Sequence, residues 1–560
     1  MMKKTILSML VLCAGFLLEA SVPVERIYIS TDRDVYIAGD AVWCSLTSLD
    51  GNGHFSNESA VSYLELVSAA GTASTAKIGL LEGRGAGSFR IPVTTPTGIY
   101  RLVAYTAVNA AEEGTPWMAG SRLLAVYNTT STARVQNGVE LVDEPAYEAL
   151  KRPETAPEGT LQLSARARLP KGAKTALVLS NAGSKASVSL SIRHEDDLVP
   201  ATRENTPASF LQALPADVRI KPGANPVKEF DGEIVTARIK GARVENGVGY
   251  AVATLSTAGD PSSLYVGRAD GTDLIRYYTS NIYGNREIVC EVSMLDKEGA
   301  YIDFESPFIQ ADAGDLPKLL LSPVQRQDLM SRKAALRAEK ALRIDTLTTF
   351  MTHRKDLLLE SVDRRRYRLD DYTRFPSVRE ILVEFIPELS LKRVRDQWVM
   401  QLVISDAVQS RFEKTDNILV MMDGVVLSDL NLLLDFDAML LENVDIYLQT
   451  FVCGEVPFHG LVNFITKKNY VTALHFPDNV RVVDFQGVAY PVAYNGAVPE
   501  GEGQDLRQLL YWHPVLNLDA GSDYRLEFTT PGYAGRFKAV AEGFTEDGKP
   551  VYQEFTFEVE

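Results

Sequence analysis

The chain has 560 residues, a length typical of several domains, and its content of 46% hydrophobic and 23% charged residues excludes a chain that is disordered as a whole. Its formal net charge of −16 argues against a nucleic-acid partner, because nucleic acids bind to basic surfaces. The net charge alone excludes no other class of function.

Residues 1–20 have the pattern of a secretory signal peptide. Two lysines precede an apolar run over residues 6–18, and Ala20 is the expected cleavage position. Cys13 raises the alternative of a lipoprotein, which we disfavour because Leu12 stands where a small residue is needed. The run is shorter than the roughly 18 apolar residues of a membrane span, and no later stretch reaches that length. We therefore expect an exported mature chain without a transmembrane span.

Residues 21–130 contain short strands separated by glycine and proline. A strand over residues 26–29 is followed by turns at Asp32 and at Gly39-Asp40, and an alternating strand covers residues 42–46. Further strands are predicted at 62–67, 87–92, 98–107 and 122–127. This pattern predicts a β-sandwich of about 100 residues.

The segment over residues 31–43, TDRDVYIAGDAVW, resembles the opening of the macroglobulin-like domains of α2-macroglobulins and related bacterial secreted proteins. In that family a Thr-Asp pair, a tyrosine, a Gly-Asp or Gly-Glu pair and a Val-Trp pair occur in this order. The resemblance implies that residues 21–130 form a macroglobulin-like domain.

Two further β-sandwiches are predicted, over residues 157–228 and 229–312, after a linker rich in Glu, Pro and Ala over residues 131–156. The segment 283–292, YGNREIVCEV, is expected at a sheet edge. Metal ligation by the run His194 to Asp197 is conceivable, but four consecutive residues on a strand cannot all face one ion. We expect a solvated strand end there instead.

Residues 313–374 are predicted to be a helical connector. Ser322 and Pro323 have the pattern of a helix N-terminus, and a basic helix is expected over residues 324–345. Its positive charge could bind an acidic neighbouring domain or anionic lipid headgroups, but the sequence favours a solvated connector. We interpret the arginine triplet at residues 364–366 in the same way.

Residues 375–470 have the pattern of a compact α+β unit. Strands are predicted at 418–422, 444–448 and 460–468, with a turn at Asp423-Gly424 and a helix over 430–441. This helix has more leucines than one small sheet should need, so they are either the core of an integrated domain or a surface that docks on another protein. The leucines in question are Leu430, Leu432, Leu433, Leu434 and Leu440.

This unit resembles the plug domain of TonB-dependent outer-membrane receptors. The resemblance depends on the order of three motifs, which are Asp423-Gly424-Val425, Val444-Asp445-Ile446 and the strand GLVNFITKK over residues 460–468. In the receptors a membrane barrel of about 22 strands follows the plug. Too few residues follow Lys468 in this sequence to form one. The resemblance therefore implies a plug-like unit without its barrel.

The C-terminal part is predicted to consist of a strand-rich linker over residues 471–505 and a β-sandwich over residues 506–560. The segments LLYWHPVLNLDAGSDYRLEF (509–528) and GRFKAVAEGFTEDGKP (535–550) resemble the closing domain of secreted Bacteroidetes proteins that combine macroglobulin-like units with a plug-like unit. This match extends the family resemblance over most of the chain.

Three cysteines follow the signal peptide, and Cys44, Cys290 and Cys453 lie in different predicted units, so we expect no structural disulfide. The sequence around Cys453 is similar to the internal thioester site of macroglobulins, in which a glutamine three positions on acylates the cysteine. Residue 456 is valine, however, which has no carbonyl group to offer. A covalent protease trap is therefore not expected.

Short motifs for catalysis are missing from the sequence. It has no Gly-x-Ser-x-Gly elbow, no His-Glu-x-x-His motif and no glycine-rich phosphate loop ahead of a lysine. Adjacent carboxylates such as Asp370 and Asp371 are expected to be solvated rather than to act as acid and base. We therefore expect no enzyme activity, no cofactor and no metal site.

Together these patterns predict a multidomain, mainly β protein with several Ig-like or macroglobulin-like sandwiches, a small α+β plug-like domain and a connecting helix. We expect a non-enzymatic, exported cell-envelope protein, periplasmic or associated with the outer membrane. It would act as a binding or assembly module for an envelope protein, as an accessory of TonB-dependent uptake. The alternatives are a macroglobulin-like protease inhibitor and an envelope hydrolase whose catalytic residues meet only in three dimensions.

Overall fold

The computed structural model describes residues 24–131, 134–149, 155–198, 206–241, 250–259, 262–293, 300–341, 349–350, 364–394, 397–406, 411–453, 456–498 and 504–560. Within these ranges the chain consists mainly of β-strands in several sheets, with few helices, which confirms the predicted fold class. No helix in the described ranges is long and apolar enough to span a membrane. The expected signal peptide, residues 1–20, lies outside the described residues.

The strands and helices are numbered in chain order. Strands up to residue 195 are β1 (Glu25–Thr31), β2 (Val35–Ile37), β3 (Ala41–Asp50), β4 (Val61–Ser68), β5 (Gly71–Leu81), β6 (Arg84–Arg90), β7 (Gly98–Tyr105), β8 (Arg122–Tyr127), β9 (Val139–Leu141), β10 (Leu161–Ser164), β11 (Arg168–Leu169), β12 (Lys174–Asn181) and β13 (Ala186–Glu195). The next strands are β14 (Ile234–Lys240), β15 (Tyr250–Thr257), β16 (Ser263–Asp270), β17 (Leu274–Tyr278), β18 (Asn285–Ser293), β19 (Tyr301–Phe304), β20 (Leu319–Leu321), β21 (Thr349–Phe350) and β22 (Arg365–Arg368).

Strands after residue 388 are β23 (Leu389–Val394), β24 (Gln397–Asp406), β25 (Arg411–Thr415), β26 (Leu419–Met422), β27 (Val425–Val426), β28 (Leu441–Tyr447), β29 (Phe451–Cys453), β30 (Val456–Phe458), β31 (Leu461–Thr466), β32 (Val480–Gln486), β33 (Val492–Ala493), β34 (Leu509–Leu518), β35 (Ser522–Thr529), β36 (Gly535–Thr545) and β37 (Pro550–Val559). The α-helices are α1 (Ala107–Ala110), α2 (Glu144–Glu148), α3 (Pro207–Gln212), α4 (Arg326–Ala341), α5 (Val378–Phe385) and α6 (Leu430–Leu434). Turns of 3-10 helix cover Pro116–Met118, Pro323–Gln325, Leu369–Asp371, Ala438–Leu440 and Val471–Ala473.

The first sandwich is built from strands β1 to β8. The strands follow the order β1-β3-β6-β5-β4-β7-β8-β2, and β5 pairs with β6 in one half and with β4 in the other. Because β5 belongs to both halves, the sheet folds back on itself and encloses one apolar core. Side chains from both halves meet in that core, among them Ile29, Leu46, Leu66 and Leu124.

The second sandwich combines the segments 157–228 and 506–560, which the sequence analysis assigned to different domains. In one sheet, of order β11-β37-β36-β13-β34, the central strand β13 pairs with β36 on one side and β34 on the other. The facing sheet has the order β10-β12-β35. Each sheet therefore takes strands from both segments, and neither segment closes a sandwich alone. The boundaries drawn from the sequence cut through one structural unit.

The third sandwich takes a strand from the segment 471–505, which was predicted to be a linker. Its sheets have the orders β17-β14-β19 and β16-β15-β18-β32 and enclose a core that contains Leu255, Ile275 and Ile288. Strand β32 pairs with β18 over residues 480–486, so β18 is an interior strand and not the sheet edge that was expected. The supposed linker is thus an edge strand of this sandwich.

The α+β unit is present as an integrated domain. The sheet β22-β28-β31-β26-β27 and helices α5 and α6 share one apolar core, and the predicted strands correspond to β26, β28 and β31. The predicted helix over 430–441 is shorter than expected, because α6 ends at Leu434. Asp437 Oδ1 then accepts a hydrogen bond from Met439 N at 2.9 Å and begins a separate 3-10 turn.

The leucines of this segment belong mainly to the core of the unit itself. Leu430, Leu433 and Leu434 are buried, Leu432 packs against the same apolar cluster, and Leu440 is half-buried. The hypothesis that these side chains form a docking surface is therefore wrong. A protein partner, if it binds this unit, must contact other residues.

The segment 131–156, also predicted to be a linker, contains regular structure. Strand β9 pairs in parallel with β20, and Tyr147 in α2 is buried. The Tyr147 hydroxyl accepts a hydrogen bond from Gln325 Nε2 at 2.6 Å and donates one to Asp197 O at 3.1 Å. These contacts attach the segment to the N-terminus of α4 and to the end of β13.

Candidate functional site

A cavity of about 140 Å³ lies where four separate parts of the chain meet. We call it the junction cavity. Its lining is drawn from the segment 31–43, from β6, from α4 and from the C-terminal part of the chain, and consists of Arg33, Asp40, Ala41, Trp43, Arg90, Leu336, Glu339, Lys340, Tyr494 and Leu509.

The segment 31–43 is fixed by a buried carboxylate. Asp32 accepts hydrogen bonds from the Tyr36 hydroxyl at 2.8 Å and from Trp43 N at 2.9 Å, and it forms an ion pair with Arg33 Nε at 3.0 Å. These bonds hold the turn in the conformation that places Arg33 and Trp43 at the cavity. The residues of the TDRDVYIAGDAVW motif are therefore structural supports of the site.

Arg33 brings a permanent positive charge to this wall. Burial lowers its pKa, the carboxylates of Asp40 and Asp32 raise it, and the net result is a raised pKa. Its Nη2 atom lies 4.0 Å from Asp40 Oδ2. Burial also raises the pKa of Asp32, although Arg33 acts in the opposite direction. A guanidinium held between two carboxylates makes a polar wall of fixed geometry.

Glu339, on α4, is the titratable group that faces this wall. Burial raises its pKa to about 7, and the nearby carboxylates of Asp40 and Asp32 add to the rise. Arg33 and a hydrogen bond from Gln508 N, at 3.2 Å from Glu339 Oε1, act in the opposite direction. The charge of the junction cavity therefore changes near neutral pH.

Helix α4 is fixed to the first sandwich through its basic side chains. Arg332 is buried, forms an ion pair with Asp196 and donates a hydrogen bond to Val35 O at 2.8 Å. Lys333 Nζ donates to Thr129 O at 2.8 Å. The expectation of a solvated connector is wrong for this face, since its charges are used within the chain. Residues 342–345 of the predicted helix lie outside the described residues.

The start of this helix agrees with the sequence pattern. Ser322 N donates a hydrogen bond to Gln325 Oε1 at 2.9 Å, and Pro323 occupies the first turn. The basic triplet 364–366, in contrast, is not a solvated charge run. Arg366 makes two hydrogen bonds to the buried carboxylate of Asp445, at 2.7 and 2.6 Å.

The C-terminal wall is fixed by an exchange of backbone hydrogen bonds. Tyr494 N donates to Trp512 O at 2.8 Å and Trp512 N donates to Tyr494 O at 2.9 Å. Arg507 Nη1 donates to the Tyr494 hydroxyl at 3.1 Å. The Tyr494 ring lies 6.5 Å from the ring of Trp43, centroid to centroid. The two aromatic side chains thus stand together on the apolar side of the cavity.

The lining of the junction cavity combines charge with an apolar surface. It contains charged, aromatic and aliphatic side chains. Small-molecule sites usually measure roughly 300 to 1,000 Å³. A volume of about 140 Å³ is that of a single side chain or a small ion. The site can therefore accept one protruding group.

The run from His194 to Asp197 does not form a metal site. Glu195 pairs with Arg536 at 2.9 Å and Lys538 at 2.7 Å, and Asp196 pairs with Arg332. Across the part of the chain that the structure describes, no group of three or more His, Cys, Asp and Glu side chains could hold a metal ion. The expected solvated strand end is wrong for Asp196, whose side chain is only 4% exposed.

The described cysteines are unpaired, as expected. Cys44 and Cys290 are buried and free, and burial raises the pKa of the Cys44 thiol to about 12. Such a thiol is a poor nucleophile at neutral pH. The side chain of Cys453 lies outside the described residues, so its part of the prediction stays a prediction.

The sequence analysis found one wall of this site and missed the others. Arg33, Asp40 and Trp43 belong to the motif that it singled out, whereas Glu339 was one acidic residue in a basic helix. Arg90 and Tyr494 lay in segments interpreted as a strand and a linker. No short-range pattern could have identified them, because they reach the site through pairings between distant strands.

No protein-family model and no curated protein sequence matches the chain. Among solved structures, it is similar to Salmonella alpha-2-macroglobulin reacted with methylamine, at 9% identity and a TM-score of 0.23 over 96% of this chain and 40% of that one. For native Escherichia coli alpha-2-macroglobulin the identity is 8% and the TM-score 0.24, over 96% of this chain and 40% of that one. For dimeric latent PorU from Porphyromonas gingivalis the identity is 13% and the TM-score 0.16, over 51% of this chain and 34% of that one. The chain thus spans about 40% of the length of these macroglobulins, and likeness at such scores assigns no activity.

Proposed function

We propose that this chain is a non-enzymatic, exported protein of the cell envelope that binds another envelope protein at the outer membrane, as an accessory of TonB-dependent uptake. The signal-peptide pattern of residues 1–20 supports export. The resemblance of residues 375–470 to a receptor plug supports a place at the outer membrane. The junction cavity, whose volume fits one side chain, supports binding of a partner.

The observation that carries the proposal is the junction cavity. Its volume fits one side chain, its walls are fixed by buried hydrogen bonds, and two exposed cations, Arg90 and Lys340, are part of its lining. Trp43 and Tyr494 supply an apolar surface beside them. This combination suits an Asp or Glu side chain projecting from a partner protein, whose carboxylate would meet Arg90 and Lys340.

The test is recovery of a partner from the native envelope after mild crosslinking. We expect Lys340→Glu to reduce the recovery of the partner at least tenfold, because it places a like charge beside the incoming carboxylate. Lys171→Glu, at an exposed lysine that is not part of the lining, is the matched control and should bind like the wild type. Equal recovery with both variants would exclude the cavity as the binding site.

Incubation with a panel of proteases separates this proposal from the protease-inhibitor alternative. An inhibitor must be cleaved in a bait segment and must then retain the protease. We expect no covalent retention of a protease, because residue 456 is valine where an internal thioester would need glutamine. A protease that co-elutes with the cleaved chain would overturn the binding-module proposal.

A further inference from the structure

Three ionisable side chains are buried together between the first and third sandwiches. Lys77 lies on β5, and Glu229 and Glu233 lie in the segment that leads into β14. All three are among the buried residues, with 3%, 3% and 2% of their surfaces exposed. Lysine and glutamate are almost never buried to this extent unless they are paired.

Lys77 and Glu233 are in direct contact. The Lys77 Nζ atom lies 2.6 Å from Glu233 Oε1 and 4.2 Å from the centre of the Phe485 ring. In the part of the chain that is described, the second carboxylate oxygen of Glu233 has no hydrogen-bond partner. An amine nitrogen therefore stands beside a carboxyl group that is held in place by the surrounding protein.

Glu229 completes the group. Its Oε1 atom accepts hydrogen bonds from the Tyr63 hydroxyl at 2.7 Å and from Ile234 N at 2.9 Å. Its Oε2 atom, like that of Glu233, has no partner among the described residues. A carboxylate with one unsatisfied buried oxygen is better accommodated in its protonated form.

Burial favours the neutral forms of all three groups. It lowers the pKa of Lys77, against the opposing effect of Glu233, and it raises the pKa of Glu233, against the opposing effect of Lys77. Burial also raises the pKa of Glu229 to about 7. A neutral amine next to a carboxylic acid is the reactive combination for forming an amide.

We propose that Lys77 and Glu233 become joined by an amide bond within the chain, with Glu229 as the group that moves protons. The neutral Lys77 nitrogen attacks the carboxyl carbon of protonated Glu233, and a C–N bond forms. Glu229 gives a proton to the departing hydroxyl group and takes one from the nitrogen, so the C–O bond breaks and one water leaves. Atoms and charges balance without an oxidant, a cofactor or a second substrate.

The bond would connect elements that are far apart in sequence. Lys77 and Glu233 are separated by 156 positions, and each belongs to a different sandwich. A covalent link there closes a long loop and removes conformational freedom from the unfolded chain, as a disulfide would. Unlike a disulfide, it withstands reducing agents.

Mass spectrometry of the full-length mature protein tests the proposal. We expect an intact mass one water below that calculated from the mature sequence, and a branched peptide that contains Lys77 and Glu233 after digestion. The exposed pair Lys185–Glu546, at a similar separation of 2.7 Å, is the internal control and should give only unbranched peptides. This control separates the effect of burial from that of proximity.

Variants identify the groups involved. Lys77→Arg replaces the amine with a guanidinium group that cannot form the bond, so it should give the full calculated mass. Glu229→Gln should remain unlinked while Lys77 and Glu233 are both present. Wild-type protein that retains the full mass after prolonged incubation, with Lys77 open to amine-reactive labelling after denaturation, would overturn the proposal. That outcome would make the group a buried ion pair only. The wild-type measurement is decisive even where a variant fails to fold.

Discussion

At the scale of single residues, the first sandwich depends on polar groups that are buried and paired. Asp32 has no exposed surface, and it joins the Tyr36 hydroxyl, Trp43 N and Arg33 in one network. A buried carboxylate of this kind costs free energy to desolvate and recovers it only through its partners. Removing it leaves the Arg33 guanidinium buried beside fewer negative charges.

We expect Asp32→Ala to lower the free energy of unfolding by about 3 to 5 kcal/mol, the usual loss when one partner of a buried ion pair is removed. Urea denaturation followed by tryptophan fluorescence measures it. Asp273→Ala, which removes an exposed partner of Arg238, is the control and should hardly move the denaturation midpoint. Similar midpoints for the two variants would show that the network does not stabilise the fold.

Glu339 gives a prediction about pH. Its folded-state pKa of about 7 lies above the ordinary value of 4.5, so the folded state binds more protons than the unfolded state between these values. Stability should therefore fall as pH rises through this window and level off above about pH 7. Glu339→Gln should show a shallower fall, although Glu229 contributes a slope of its own.

Urea denaturation of the wild type and of Glu339→Gln at pH 5 and at pH 8 measures this difference. The free energy of unfolding of Glu339→Gln minus that of the wild type should be larger at pH 8 than at pH 5. Parallel pH profiles for the two proteins would show that Glu339 titrates in the folded state as it does in water.

At this scale the sequence predicted the residues that act locally. The turn at Asp32 and the hairpin turn at Asp423-Gly424 were predictable, because aspartate and glycine have strong local backbone preferences. The partners of Glu339 and Lys77 could not be predicted from the sequence. Their environments are made by elements more than 150 positions away, and no local pattern encodes burial of a charge.

At the scale of elements, the hairpin of β26 and β27 shows how the α+β unit contacts the third sandwich. Its turn has positive φ at both Asp423 and Gly424, 48° and 83°, as a two-residue hairpin requires. Gly259 N donates to Asp423 O at 3.0 Å, and a Cβ atom on Gly424 would lie 2.2 Å from Ser262 Cβ. The glycine is therefore needed for the contact as well as for the turn.

Gly424→Ala and Gly271→Ala form a matched pair for measuring this contact. Gly271 has a similar φ of 72°, but a Cβ atom there would meet nothing within 4 Å. We expect Gly271→Ala to cost about 1 to 2 kcal/mol through backbone strain alone. Gly424→Ala should cost about 1 to 3 kcal/mol more through steric overlap, measured by urea denaturation. Equal losses of stability for the two variants would mean that the α+β unit and the third sandwich make no close contact at Gly424.

The element scale also shows where periodicity is a poor guide. The apolar run over 430–441 has the length and pattern of one helix, yet Asp435 and Asp437 interrupt it. Aspartate side chains compete for backbone N–H groups and favour the ends of helices over their interiors. The strands β26, β28 and β31 were predicted more accurately, since a glycine or an aspartate lies close to an end of each.

At the scale of the whole molecule, distant segments of the chain complete one another's sheets. Alternation along the sequence identified the strands of residues 157–228 and 506–560, but it does not encode which strands pair. In the sequence, two incomplete sheets in separate segments show the same strand pattern as two small domains. Strand β13, with partners on both sides from the C-terminal segment, shows that they are one.

We expect a chain that ends at residue 503 to lose the second sandwich. Removing β34 to β37 leaves both edges of β13 unpaired and exposes its apolar face, so residues 161–195 should become sensitive to protease. Limited proteolysis with mass spectrometry of the cut sites measures this. Co-expression of residues 504–560 as a separate chain should restore protection. Continued protection of the truncated chain would contradict the shared sandwich.

The shared sandwich also determines when this protein can finish folding. During synthesis β13 is made first, and its partners β34 and β36 follow on the order of tens of seconds later at about 5 to 20 residues per second. During that interval both edges of the apolar strand β13 are unpaired and are exposed to chaperones and to neighbouring nascent chains. Folding of the second sandwich therefore waits for β34 and β36, and their synthesis acts as the release signal for residues made long before.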